Sequence, residues 1–254
     1  MKEVNMKNFD MKKFGFTLAE VMVALALIGT ITSLTIPTFV NANKNRTHSA
    51  KIASTVSAVE NAFSSMIAIE AVQNLNETRF VQNGTYSAAD LGQYIKLTGS
   101  GNSVTNYYTT DTPFKVPNGE GLGTDENPYA RGVGAIFELK NGALLLFEPV
   151  PAHPNLTSAI TRNAGGTVES SIGRLTIDVN GANPPNILGR DAFYFRVGTD
   201  GFLYPAGSVN FSLLEDASDS YTWNKADSKY ICTDTDKGLG CTARLMENNY
   251  EVDY

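Results

Sequence analysis

The sequence predicts an α+β fold, with one long N-terminal α-helix, membrane-spanning in its first half, packed on an antiparallel β-sheet head. Three observations carry that prediction. No charged residue interrupts Val21 to Val40, apolar residues recur at helical spacing from Ile52 to Ile67, and strand-like runs flank Lys140-Asn141-Gly142.

The helix comes first. Val21-Met22-Val23-Ala24-Leu25-Ala26-Leu27-Ile28 is apolar on every helical face, and about 20 such residues span a bilayer core. Ahead of it, Lys2, Lys7, Lys12 and Lys13 outnumber Glu3 and Asp10, so this leader is expected to stay on the cytoplasmic side and the body to face outward. A secretory signal peptide, an uncleaved anchor and a buried core helix are the ordinary alternatives. A signal peptide would need a small-x-small cleavage site, for which Val40-Asn41-Ala42 is a poor candidate, and a core helix needs no basic leader.

None of these explains Glu20, an ionisable residue at the start of the apolar stretch. A carboxylate in hydrocarbon costs roughly 2.5–3.5 kcal/mol on insertion scales, so it calls for a partner. Cleavage between Gly15 and Phe16 would supply one, because the new α-amino group and Glu20 would stand i and i+4 on one helix face. The pair could form within one chain or between neighbouring helices.

Lys12-Lys13-Phe14-Gly15-Phe16-Thr17-Leu18-Ala19-Glu20-Val21 resembles the leader and N-methylation motif of type IV pilins and type II secretion pseudopilins. The resemblance implies cleavage after Gly15 by a prepilin peptidase, N-methylation of Phe16, and a role for Glu20 in docking and register during assembly. It also implies a pilin-like fold, partnership with other pilin or pseudopilin subunits and with the inner-membrane assembly machinery, and a single-pass inner-membrane location before entry into a periplasmic or cell-surface filament. Organised this way, the chain has a cleaved basic leader at 1–15, a transmembrane or filament-core half-helix at 16–40, an amphipathic half at 41–72, and a globular head at 73–254.

In the amphipathic half, Ile52, Val56, Val59, Phe63, Met66 and Ile67 form one stripe while Lys51, Ser54, Glu60, Asn61 and Ser64 take other faces, the pattern of a helix buried on one side. The helix is expected to run from Phe16 to about Ala71, with Gly29 and Pro37 as positions for a kink or local unwinding. Residues 74 to 127 read mostly as connecting loop with a short helix from Ala88 to Leu97. Strands are expected at 134–139 and 143–147, joined by an Asn-Gly hairpin, and again at 174–179, 193–197 and 202–204. Trp223 is placed to pack the polar C-terminal tail on the sheet.

Cys232 and Cys241 lie close together in a polar stretch. They read as a local disulfide, worth roughly 2–4 kcal/mol through restriction of the unfolded chain, against the alternative of two unrelated thiols in a reduced compartment. No second Cys pair or nearby His completes a metal set. Asp178, Asn180 and Asp191 alternate oxygen ligands around tight turns and support two readings, a calcium loop or Asx turns joining strands. Some secretion pseudopilins bind calcium in this region, but the full EF-hand pattern is absent.

The formal charge of −6 and pI near 5.0 argue against direct nucleic-acid binding, which needs clustered Lys and Arg. P-loop, zinc-protease, nucleophile-elbow and dinucleotide motifs are missing from the sequence. His48 and His153 read as helix-surface and loop residues, and Tyr107-Tyr108 as packing in preference to an adhesive face. The expected role is therefore structural and not enzymatic, with no resident cofactor unless calcium binds. The alternative is a minor adhesin or priming tip subunit.

Overall fold

The computed structural model describes residues 16–82, 85–101, 107–108, 114–115, 134–149, 160–161, 168–169, 171–205, 232 and 240–251. Gly15, His153 and Trp223, singled out above, lie outside them. The chain divides after Lys44 into two compact units.

In the first unit, helix α1 (Leu18–Glu70) begins and runs through Gly29 and Pro37 without a break. Its span Leu18–Ile36 has a mean hydropathy of 1.9 and none of it is buried within the molecule. The hydroxyls of Thr30, Thr32, Ser33 and Thr35 donate to the carbonyls of Leu27, Ile28, Thr30 and Ile31 at 2.8–3.0 Å. These polar groups are thus satisfied inside the helix, a requirement for exposure to hydrocarbon.

The second unit carries the rest of α1. Ile52, Val56, Val59, Phe63 and Met66 are buried, a stripe at i, i+4, i+7 spacing that explains why a helix here needs a sheet to lie on. That sheet is six-stranded and antiparallel, in the order β10-β9-β8-β5-β4-β3. Its strands are β3 (Leu97–Gly101), β4 (Ala135–Leu139), β5 (Leu144–Pro149), β8 (Ser171–Asp178), β9 (Ala192–Gly198) and β10 (Leu203–Pro205). Two-stranded pieces β1 (Val81–Gln82) with β2 (Thr85–Tyr86), and β6 (Ile160–Thr161) with β7 (Val168–Glu169), are separate sheets. Two short α-helices, α2 (Ala88–Leu91) and α3 (Cys241–Glu247), and a 3-10 turn at Leu75–Glu77 complete the described elements.

The predicted hairpin joins β4 and β5, with Glu138 opposite Leu144. Gly142 takes a φ of +79°, open to glycine at no steric cost, and the Asn141 side chain accepts from the Ala143 N–H at 3.0 Å. Along β5, alternate side chains go to opposite sides. Leu145 and Phe147 join the core against α1, together with Leu175, Ile177, Phe193 and Phe195. Leu144 and Leu146 join a second cluster with Ile136, Leu188, Ala192, Tyr194, Tyr108 and Phe114. The sheet is therefore covered on both faces, which is why Leu144 to Phe147 is an unbroken apolar run and not an alternating one.

Phe147 centres the aromatic packing, with ring centroids of Phe63, Phe80, Phe137 and Tyr86 at 4.9–6.3 Å. Polar ties also bind α1 to the sheet: Glu60 Oε1 accepts from the Leu203 N–H at 2.9 Å, and Asn141 Nδ2 donates to Thr55 Oγ1 at 3.2 Å. On β5 and β8, the cross-strand neighbours Glu148 and Arg174 form a buried ion pair at 3.5 Å.

Two elements differ from the sequence reading. The helix expected from Ala88 to Leu97 closes after one turn, at Gly92, and Leu97–Gly101 turns instead into edge strand β3, paired with β4 through a bulge. β8 also starts earlier than expected, at Ser171. The antiparallel α+β architecture itself is the one expected.

Candidate functional site

The N-terminus of α1 is built from three residues. Phe16 is 86% exposed and not helical. Thr17 then starts the helix with a reciprocal cap. Its backbone N–H and its hydroxyl both donate to Glu20 Oε2 at 2.8 Å, and the Glu20 N–H donates to Thr17 Oγ1 at 3.2 Å. This is a capping box, in which the carboxylate three residues into the helix satisfies an N–H that has no partner inside it. It gives Glu20 a local partner that the charge argument on the sequence did not identify. The signal was present as Thr-x-x-Glu directly ahead of an apolar run.

Among the described residues Glu20 Oε1 accepts no hydrogen bond, so one oxygen of the carboxylate caps the helix and the other can take a further donor. The surface that follows, Leu18 to Ile36, offers lipid or other helices an apolar cylinder, with large side chains such as Leu25, Ile28 and Leu34 at 58–75% exposure. Chemically this end can insert and pack.

The structure also brings Asp178, Asn180 and Asp191 together, in the turns between β8 and β9. Asp178 Oδ2 accepts from the Tyr108 hydroxyl at 2.8 Å, and its Oδ1 from the Asn180 N–H at 3.2 Å. Asp191 Oδ2 accepts from the Asn186 N–H at 3.0 Å and from Asn180 Nδ2 at 3.3 Å, and its Oδ1 from the Ile187 N–H. Burial pushes Asp191 up to about 6 despite these donors. Burial and then the Asp191 charge hold Asp178 well above the usual carboxylate range.

All four carboxylate oxygens are thus engaged by donors of the protein. Asn180 Oδ1 is buried without a hydrogen-bond partner, a single oxygen against the roughly six to eight a calcium ion takes. Among the described residues no group of three or more His, Cys, Asp or Glu could hold a metal ion. Together these bonds make a hydrogen-bonded turn.

Helix α1 and the C-terminal segment meet the same turn. Lys51 Nζ donates to the Val179 carbonyl at 2.9 Å, and His48 Nδ1 to that of Arg190 at 3.2 Å, so His48 is a packing residue of this junction. Cys232 and Cys241 form a disulfide with Cα atoms 4.6 Å apart. Gly189, at φ +81°, lies directly under it, where a Cβ would collide with the Cys241 side chain. Thr242 Oγ1 accepts from the Tyr194 N–H at 3.1 Å, fastening α3 to β9. Tyr108 is 1% exposed, a packing residue and not an adhesive one.

A protein-family model described as the prokaryotic N-terminal methylation motif matches residues 10–36. Searches of curated proteins and of solved structures give no match. The matched stretch contains the capped helix start and the exposed apolar span, and it carries the type IV pilin and pseudopilin signature, a motif that indicates a precursor of the kind prepilin peptidase processes.

Proposed function

We propose that the protein is a structural subunit of a type IV pilus or type II secretion pseudopilus-like filament. Prepilin peptidase cuts between Gly15 and Phe16, Phe16 is N-methylated, and the subunit waits in the inner membrane with its head outside the cytoplasm. The observation that carries this reading is the Leu18–Ile36 span, apolar, wholly unburied and opened by the Thr17–Glu20 cap. An apolar surface of that length needs lipid or other helices around it.

Assembly exchanges lipid for neighbouring helices. That exchange has little hydrophobic driving force, so packing and polar contacts decide it. Glu20 supplies the polar contact. With Oε2 held by Thr17, Oε1 accepts from the Phe16 ammonium of its own chain or of the next subunit, and a misregistered helix leaves a carboxylate unpaired in an apolar core. As bulk subunit the protein dominates sheared surface material, and scarcity there would place it at a priming or adhesive tip instead.

The test is Glu20→Ala. Cleavage by the peptidase is expected to proceed while incorporation into sheared filaments falls at least tenfold, measured by immunoblot of membrane and filament fractions. Normal filament yield would remove Glu20 from assembly.

A further inference from the structure

The face of the sheet opposite α1 is laid out in cross-strand rows. Leu144, Asp178 and Ala192 make one, Leu146, Thr176 and Tyr194 the next, and Glu148, Arg174, Arg196 and Tyr204 the last. Leu144, Leu146, Ala192 and Tyr194 belong to the second apolar cluster. The last row is charged and lies just as deep, with Glu148, Arg174 and Arg196 at 1–3% exposure. Two guanidiniums thus accompany one carboxylate in an interior where unmatched charge is penalised.

Arg174 places Nη1 3.5 Å from Glu148 Oε2. Its Nε and Nη2 are buried and, among the described residues, have no hydrogen-bond partner. Those two groups form the side-on edge of a guanidinium, parallel N–H donors that match the paired oxygens of a carboxylate or phosphate. Thr176 stands two residues along β8 on the same face, about 7 Å further on. Its hydroxyl is likewise buried with no hydrogen-bond partner among the described residues. Buried polar groups are nearly always satisfied, so an open fork and an open hydroxyl side by side call for one acceptor that serves both.

We propose that Arg174 and Thr176 form an anion-binding site in the head that takes a small oxyanion, a phosphate or a carboxylate, on the Nε–Nη2 edge of Arg174. Glu148 orients the guanidinium from the other side. Arg196, its cross-strand neighbour on β9, adds positive potential. Binding here is separate from the assembly role proposed for Glu20.

The test uses the full chain in detergent micelles with its disulfide intact, titrated with inorganic phosphate or acetate against chloride at matched ionic strength. The Arg174 Nε–H resonance, assigned by its absence from Arg174→Lys, reports occupancy, and melting temperature reports it independently. A saturable shift of that resonance and a rise in melting temperature are expected with phosphate or acetate and not with chloride. The tighter of the two names the ligand. Thr176→Val keeps the shape and removes the hydroxyl, so it should weaken the affinity about tenfold while the anion-free melting temperature is kept or raised. No shift with either anion overturns the site and leaves the fork to water or to a carboxylate of the chain itself. An affinity unchanged in Thr176→Val, or a melting-temperature rise unchanged in Arg174→Lys, also overturns it, in favour of an adventitious anion bound elsewhere.

Discussion

Two stretches of α1 pass the same test for crossing a membrane, and their surroundings differ. Leu18–Ile36 has a mean hydropathy of 1.9 and Asn43–Glu70 one of 1.3, both long and apolar enough to span a bilayer. None of the first is buried inside the molecule, whereas 39% of the second is. The difference lies in how the apolar residues are distributed. In the first stretch they cover every face, and no single surface of a head could cover them all. In the second they form one stripe, Ile52 to Met66, with Glu60 and Thr55 placed to hydrogen-bond the sheet beside it. Hydropathy sums cannot separate the two, but angular distribution and polar partners do.

The largest effect expected from this contrast follows core truncation. Phe63→Ala removes a fully buried ring from the stripe and should destabilise the head by about 3–5 kcal/mol, whereas Ile28→Ala in the span should leave the unfolding transition of the head unchanged. Thermal denaturation followed by near-ultraviolet circular dichroism on both variants checks this. Equal losses from the two would mean that the stretches share one folding unit.

A smaller effect concerns pH. Asp191 and Asp178 both have raised pKa values in the fold, so they contribute stability that is fully present below the unfolded value and is lost as pH rises through the folded one. For Asp191 the window runs from 3.8 to about 6, and its loss amounts to roughly 2–3 kcal/mol. Melting temperature measured across that window should carry a falling contribution that Asp191→Asn removes. The smallest effect is expected from calcium, since every carboxylate oxygen of the turn is engaged. Calorimetric titration should show no heat and the melting temperature no rise, and a clear rise would mean that the ion displaces the Tyr108 and backbone donors.

How much of this was legible in the sequence depended on whether the determinant was local. The stripe on α1 and the Asn141-Gly142 turn are written in neighbouring residues, and the helix and the β4–β5 hairpin follow from them. Edge strand β3 was not legible, because Leu-Thr-Gly-Ser-Gly has low strand propensity and exists as a strand only through pairing with β4, far along the chain. The second apolar cluster was hidden for the same reason. Tyr108 and Phe114 come from a polar, loop-like segment, and only the fold lays them on Leu144, Leu146 and Tyr194. At the candidate site, Gly15-Phe16 and Glu20 stood out by position alone. The capping role of Glu20 was readable as Thr-x-x-Glu but was obscured by the larger question of a charge beside lipid. That Asp178, Asn180 and Asp191 converge was visible from their turns, while the donors that occupy them, from Tyr108, Asn186 and Ile187, depend on tertiary placement.

The most direct test of the central claim is mass analysis of the N-terminus of the native protein. A first residue of methylated Phe16, with the apolar helix retained behind it, is the predicted result. A chain still bearing its first fifteen residues, or one trimmed beyond Val40 so that the helix is lost, would contradict the account.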